Sequence, residues 1–169
     1  MNTGQRHRPP QDLEWLLQAI LGSPDASPIA FERWTEATCF DELPPSHFRF
    51  LGELGRVLDH VAPSWPHRAR VKGIEKYVWT NNIHILNTTL PAVDALIAAD
   101  LPFALLKGCG VIAAEGDAIR RRFTRDMDVL VAPGDIERAT TLLLDGGWRP
   151  VTGRVPGAIR SQPFDRPSG

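Results

Sequence analysis

The spacing of apolar residues in this chain changes at Leu101, and this change is the sequence feature that most limits the possible fold classes. Before Leu101, apolar residues recur at the three- and four-residue spacing of one helix face. After it, they come in short runs at 103–106 and 127–131, which are typical of buried strands. The pattern predicts an α+β protein, in which a helical layer over 12–100 packs on a small mixed-sheet α/β unit over 101–152.

Glycine, proline and capping residues predict the helix boundaries in the first hundred residues. Gly22 ends a first helix, and Ser27 with Pro28 begins a second. Ser46 caps a third helix. A long helical region follows over about 68–99, and Pro91 within it predicts either a kink or the start of a new helix.

Charge and cysteine content exclude several classes of protein. The 19 basic and 20 acidic residues nearly cancel, which argues against general coating of nucleic acid. The 2 cysteines lie far apart and form neither a disulfide framework nor a zinc site, so a reducing compartment is expected. No apolar run approaches the ~20 residues of a membrane helix. We expect a soluble cytoplasmic protein without a membrane partner, with a flexible arm over 1–11 and a Gly/Pro/Arg-rich tail over 153–169.

Asp126 and Asp128 stand at the start of the second predicted strand. Because side chains alternate along a strand, both carboxylates are expected on the same face. Two carboxylates on one face repel each other and need a cation, and their oxygens suit Mg²⁺. The alternative is a solvated strand end paired with Arg121, Arg122 or Arg125, and the spacing alone does not decide between the two.

Lys107, Gly108 and Gly110 follow the first predicted strand, ahead of a short helix predicted over 111–115. Glycines at such a turn let backbone N–H groups approach phosphate oxygens, and a lysine adds a point charge. The residue order is neither a Walker loop nor a dinucleotide fingerprint. An ordinary strand-to-helix turn is the alternative. The arginines at 120–122 and 125 serve either a triphosphate or charge compensation of the aspartates.

Taken together, these segments resemble the uncharacterised nucleotidyltransferase family of the DNA polymerase β-like nucleotidyltransferase superfamily. The resemblance covers residues ~10–150. It rests on the lysine–glycine step at 107–108, the string Arg122-x-x-x-Asp126-Met-Asp128, the Gly-Gly-Trp148 helix end and the Asn81-Asn82 pair in the helical leader.

The resemblance implies a metal-dependent nucleotidyltransferase that moves a nucleoside monophosphate from an NTP to an unknown acceptor. The acceptor class stays open between protein, RNA and a small molecule. Asp126 and Asp128 are implied to be catalytic and to bind Mg²⁺ or Mn²⁺. Lys107, Gly108 and Arg122 are implied to bind the phosphates of the nucleotide.

The superfamily usually takes a third carboxylate from a later strand. Asp165 is the only acid beyond Asp145, and it lies between Pro163 and Pro167 without a strand pattern. We therefore expect a C-terminally truncated chain with impaired turnover, or a partner protein that completes the site. The alternative is a non-catalytic nucleotide-binding or protein-interaction domain derived from the same fold.

Overall fold

Seven α-helices and four short strands form within the part of the chain that this computed structural model describes, which is residues 8–150 and the backbone of 164 and 165. The helices are α1 (Gln11–Leu21), α2 (Ala26–Ala37), α3 (Pro45–Phe48), α4 (Leu51–Val61), α5 (Arg68–Ala98), α6 (Lys107–Ala114) and α7 (Ile136–Asp145). The strands are β1 (Phe103–Leu106), β2 (Asp128–Val131), β3 (Arg149–Pro150) and β4 (Phe164–Asp165). The predicted α+β class is confirmed.

The chain divides into two units, which we call the helical unit and the sheet unit. The helical unit runs to Trp79 and includes the later segment Asp117–Phe123. The sheet unit consists of Thr80–Gly116 and the chain from Thr124 onward. Because the boundary falls within α5, that helix contributes residues to both units. No described helix is both long and apolar enough to cross a membrane.

An aromatic and aliphatic core holds the helical unit together. The helical spacing of its apolar residues places Leu16 of α1, Trp34 of α2 and Leu54 of α4 in the interior, each no more than 1% exposed. Trp65 packs edge-on against Phe31, with the ring centroids 5.1 Å apart. Burying large side chains of this kind contributes about 1.5–3 kcal/mol each.

The helix boundaries of the first hundred residues mostly follow the sequence. Gly22 ends α1 as predicted, and its N–H donates to the carbonyl oxygen of Gln18. The helix predicted after Ser46 is divided into α3 and α4 around residues 49 and 50. Pro91 does not begin a new helix but lies inside the continuous α5. The hydroxyl groups of Thr88 and Thr89 donate back to carbonyl oxygens one turn earlier, as helical threonines commonly do.

The main sheet of the sheet unit is the antiparallel pair β1–β2, in which Phe103 lies opposite Val131 and Leu106 opposite Asp128. The sequence predicted a mixed sheet, but both two-stranded sheets among the described residues are antiparallel. Phe103 and Val131 pack on the core of the unit. The opposite face of the pair carries Asp128 together with the exposed side chains of Leu106 and Leu130.

A second small sheet pairs β3 with β4, with Arg149 opposite Asp165. Asp165, for which the sequence showed no strand pattern, is therefore part of a strand. The remainder of the predicted 153–169 tail lies outside the described residues. So do residues 1–7 of the predicted arm, whose last residue, Gln11, begins α1.

Candidate functional site

The first strand passes directly into α6 at Lys107. The backbone of Lys107 has a φ of 51°, in the left-handed region that few non-glycine residues adopt. Leu106 before it is extended, with a φ of −113° and a ψ of 169°. The sequence predicted a helix only over 111–115. The observed helix α6 begins four residues earlier, at Lys107, so Gly108 and Gly110 belong to the helix rather than to a loop ahead of it.

Close packing explains why both of these positions are glycine. A Cβ atom on Gly108 would lie 2.8 Å from Oγ1 and 2.9 Å from Cβ of Thr124. A Cβ atom on Gly110 would lie 2.6 Å from the carbonyl oxygen of Leu105. The start of α6 therefore contacts both Thr124 and β1 more closely than any side chain would allow.

The two aspartates do not both lie on the strand. Asp128 is the first residue of β2, whereas Asp126 precedes it in a bend. Strand alternation, which predicted a shared face, therefore does not orient Asp126, and that argument was wrong. The carbonyl oxygen of Asp126 instead accepts hydrogen bonds from Oγ1 of Thr124 at 2.9 Å and from Sγ of Cys109 at 3.4 Å. Asp126 is exposed, and the side chain of Asp128 is 29% exposed.

Lys107 and Asp128 form an ion pair across the start of α6. Nζ of Lys107 donates to Oδ1 of Asp128 at 2.9 Å. This hydrogen bond raises the pKa of Lys107, so the ammonium group stays charged. Arg121, one of the partners that the alternative interpretation gave to the aspartates, pairs instead with Asp117 and Glu53 in the helical unit.

Arg122 lies in the Asp117–Phe123 segment of the helical unit, whereas Lys107, Gly108 and the two aspartates belong to the sheet unit. The segment is held against α4 by a backbone contact. A Cβ atom on Gly52 would lie 2.5 Å from the carbonyl oxygen of Arg121. The structure therefore brings four of the five predicted site residues into one unit and assigns Arg122 to the other.

Three residues that hold the aspartate segment were not predicted as site residues. The backbone N–H of Thr124 donates to Oδ1 of Asn82 at 3.2 Å. Nδ2 of Asn81 donates to the carbonyl oxygen of Thr124 at 2.7 Å. The one signal available in the sequence is the adjacent pair of asparagines within a long helix, because asparagine is a poor helix former.

Asp126 and Asp128 offer carboxylate oxygens, which suit Mg²⁺ and Mn²⁺. Across residues 8–150, no three or more His, Cys, Asp or Glu side chains gather into a metal site. Asp126 and Asp128 would therefore supply only part of the ligand set of such an ion.

The helical unit contains a cavity of about 490 Å³. Its wall combines aromatic and aliphatic side chains with the ion pair between Asp41 and Arg70. Arg70 also lies over the ring of Phe40, 4.9 Å from its centroid. The predicted site residues are not among those that line this cavity.

The α+β fold is consistent with a nucleotidyltransferase-like domain, and a family model identifies the family. The model for an uncharacterised nucleotidyltransferase matches residues 54–166. The chain belongs to this family, and the resemblance drawn from its sequence is confirmed. The family assigns it a general nucleotidyltransferase role with an NTP as substrate. Comparisons with curated proteins and with solved structures gave no significant match.

Proposed function

We propose that this protein transfers a nucleoside monophosphate from an NTP to an acceptor, with a divalent metal ion held by Asp126 and Asp128. The contact between Lys107 and Asp128 carries the proposal. It places a fixed positive charge and a metal-type carboxylate 2.9 Å apart at the first turn of a helix. A phosphate chain that bridges a metal ion and an ammonium group requires this combination of charges.

The start of α6 would bind the phosphates. Backbone N–H groups at a helix N-terminus favour negative charge, and α6 begins at Lys107. Lys107 is 70% exposed, and an exposed ion pair in water contributes little to stability. We infer that Lys107 exchanges Asp128 for a phosphate oxygen when the nucleotide binds, and Asp128 would then be available as a metal ligand.

The aspartates would orient the nucleotide through Mg²⁺ or Mn²⁺. Asp126 and Asp128 would hold the ion, which would supply charge neutralisation at the phosphates. Lys107 would add a second positive charge. Catalysis by these residues is positional and electrostatic.

Calorimetric titration with the Mg²⁺ complexes of the four NTPs tests the binding half of the proposal. The parent protein is expected to bind, and an Asp126→Asn, Asp128→Asn double variant is not. Lys107→Asn removes the ammonium group, and asparagine tolerates the left-handed backbone at this position. Loss of a charge-assisted hydrogen bond, worth about 1.5–3 kcal/mol, predicts an affinity roughly 10–100-fold weaker. Equal nucleotide binding by the double variant would exclude the metal site.

A protein-interaction domain without catalysis is the second candidate. It is favoured by the apolar side chains exposed beside the site, since Leu106 and Leu130 are 39% and 55% exposed on the face that carries Asp128. Such a face suits a protein acceptor or a partner that completes the site. Nucleotide binding without transfer would favour this candidate, and transfer by the chain alone would count against it.

A further inference from the structure

The backbone groups of the buried residue Thr124 form hydrogen bonds with side chains instead of with other backbone groups. It lies outside every helix and strand, yet it is only 5% exposed. Its buried N–H and carbonyl groups need partners within the protein. Both partners are side chains of consecutive residues on α5: Asn82 accepts from the N–H, and Asn81 donates to the carbonyl oxygen.

The position of Asn82, buried inside a helix, is energetically unfavourable for an asparagine. It is 0% exposed, and burying an amide group is unfavourable unless hydrogen bonds replace those made with water. Asparagine also has a lower helix propensity than the apolar residues that would fill a helix interior, such as leucine. A residue with both disadvantages is best explained by the peptide group that it holds.

Thr124 in turn contacts the segment that carries the aspartates. Its hydroxyl donates to the carbonyl oxygen of Asp126, which also accepts from Sγ of Cys109. The same side chain fills the space above Gly108. Thr124 therefore connects three parts of the sheet unit: the middle of α5, the first turn of α6 and the backbone of Asp126.

We propose that Asn82 is a positioning residue for the metal site. Acting through Thr124, it fixes the backbone of Asp126 relative to the Lys107–Gly108 turn, so that the aspartates and the phosphate-binding turn are set before any ligand arrives. The inference rests on the proposed function, because it assigns Asn82 to the site formed by Asp126 and Asp128. Asn82 itself touches neither metal nor nucleotide in this account.

The test measures Mn²⁺ binding by the loss of the free-ion EPR signal, which does not depend on turnover. Asn82→Leu removes the acceptor and keeps the number of heavy atoms and the branching of the side chain. Thr124→Val removes the hydroxyl and keeps the shape, so it also serves if Asn82→Leu does not fold. Asn87→Ala is the matched control, because Asn87 is an exposed asparagine on the same helix. Leu142→Ala, in the core of the sheet unit, controls for general destabilisation.

Residues that orient metal ligands typically change metal affinity by about 10–100-fold. Asn82→Leu and Thr124→Val are each expected to weaken Mn²⁺ binding at least about 10-fold, and their combination no further than the stronger single change. Asn87→Ala and Leu142→Ala are expected to keep the parent affinity.

The outcomes separate this inference from the proposed function. Parent affinity in both Asn82→Leu and Thr124→Val would overturn the positioning role while leaving the metal site intact. An equal loss in Leu142→Ala would also overturn it, because the effect would then follow stability alone. If the parent protein bound no Mn²⁺, or the Asp126→Asn, Asp128→Asn variant bound it equally, the proposed function would fail and the positioning role with it.

Discussion

Gly108→Ala tests the packing at the start of α6. The added Cβ would lie 2.9 Å from Cβ of Thr124, whereas carbon atoms in good contact are about 3.5 Å or more apart, so one side must move by roughly 0.6 Å. Thr124 cannot move freely, because its backbone and hydroxyl are all hydrogen-bonded. Overpacking of this kind costs about 1–3 kcal/mol, and the helix propensity of alanine returns up to about 1 kcal/mol.

The expected net loss of about 1–2 kcal/mol corresponds to a fall of roughly 2–8 °C in Tm for a chain of this length. Thermal melting followed by circular dichroism measures this fall in Tm. Gly73→Ala is the matched control, since Gly73 also lies in a helix but has nothing within 4 Å of its Cβ position. That control is expected to raise Tm. If both variants raised Tm alike, the close contact between Gly108 and Thr124 would be wrong.

Three further predictions concern other parts of the chain. Gly52→Ala is expected to destabilise the protein in the same melting assay, because the added Cβ would meet backbone atoms of Arg121 at 2.5–3.1 Å; an unchanged Tm would contradict this contact. Cys39 is exposed and Cys109 is 2% exposed with a pKa raised by burial, so a disulfide reagent should modify Cys39 first and Cys109 only on unfolding. Burial raises the pKa of Glu75 above its ordinary value, so the folded state holds that proton more tightly and loses stability as the pH rises from 4.5 toward neutral. Glu75→Gln should therefore gain Tm relative to the parent between pH 4 and pH 7, and parallel curves would refute it.

The sequence predicted the elements whose patterns are local. The apolar spacing and Gly22 located α1, and the short run at 103–106 located β1, because periodicity and helix-ending residues act within a few positions. The start of α6 was missed because Gly108 and Gly110 resemble loop residues. Both positions require glycine because Thr124 and Leu105 pack closely against them, and such tertiary contacts leave no local sequence pattern.

The sequence proposed residue types for the candidate site, but it did not predict how they contact one another. It assigned Lys107 to phosphates and Asp128 to a metal ion or an arginine, whereas the structure pairs Lys107 with Asp128 directly. Asp126 was placed on a strand because Met127 and the apolar residues after it continue a strand pattern. It lies in a bend instead, where its carbonyl oxygen accepts hydrogen bonds from Thr124, two residues earlier, and from Cys109 of α6. The two-residue strand that contains Asp165 is too short for any periodicity to show.

Transfer of label from the α-phosphate of an NTP to an acceptor distinguishes nucleotidyl transfer from phosphoryl transfer, and it therefore tests whether this protein moves a nucleoside monophosphate. The protein is incubated with NTPs labelled at either the α- or the γ-phosphate, with Mg²⁺ or Mn²⁺ and a cell extract as the source of acceptor. Label from the α position, and not from the γ position, is expected to become attached to an acceptor. The Asp126→Asn, Asp128→Asn variant is expected to abolish this transfer. Attachment of the γ label, or equal α-label transfer by the double variant, would contradict this expectation.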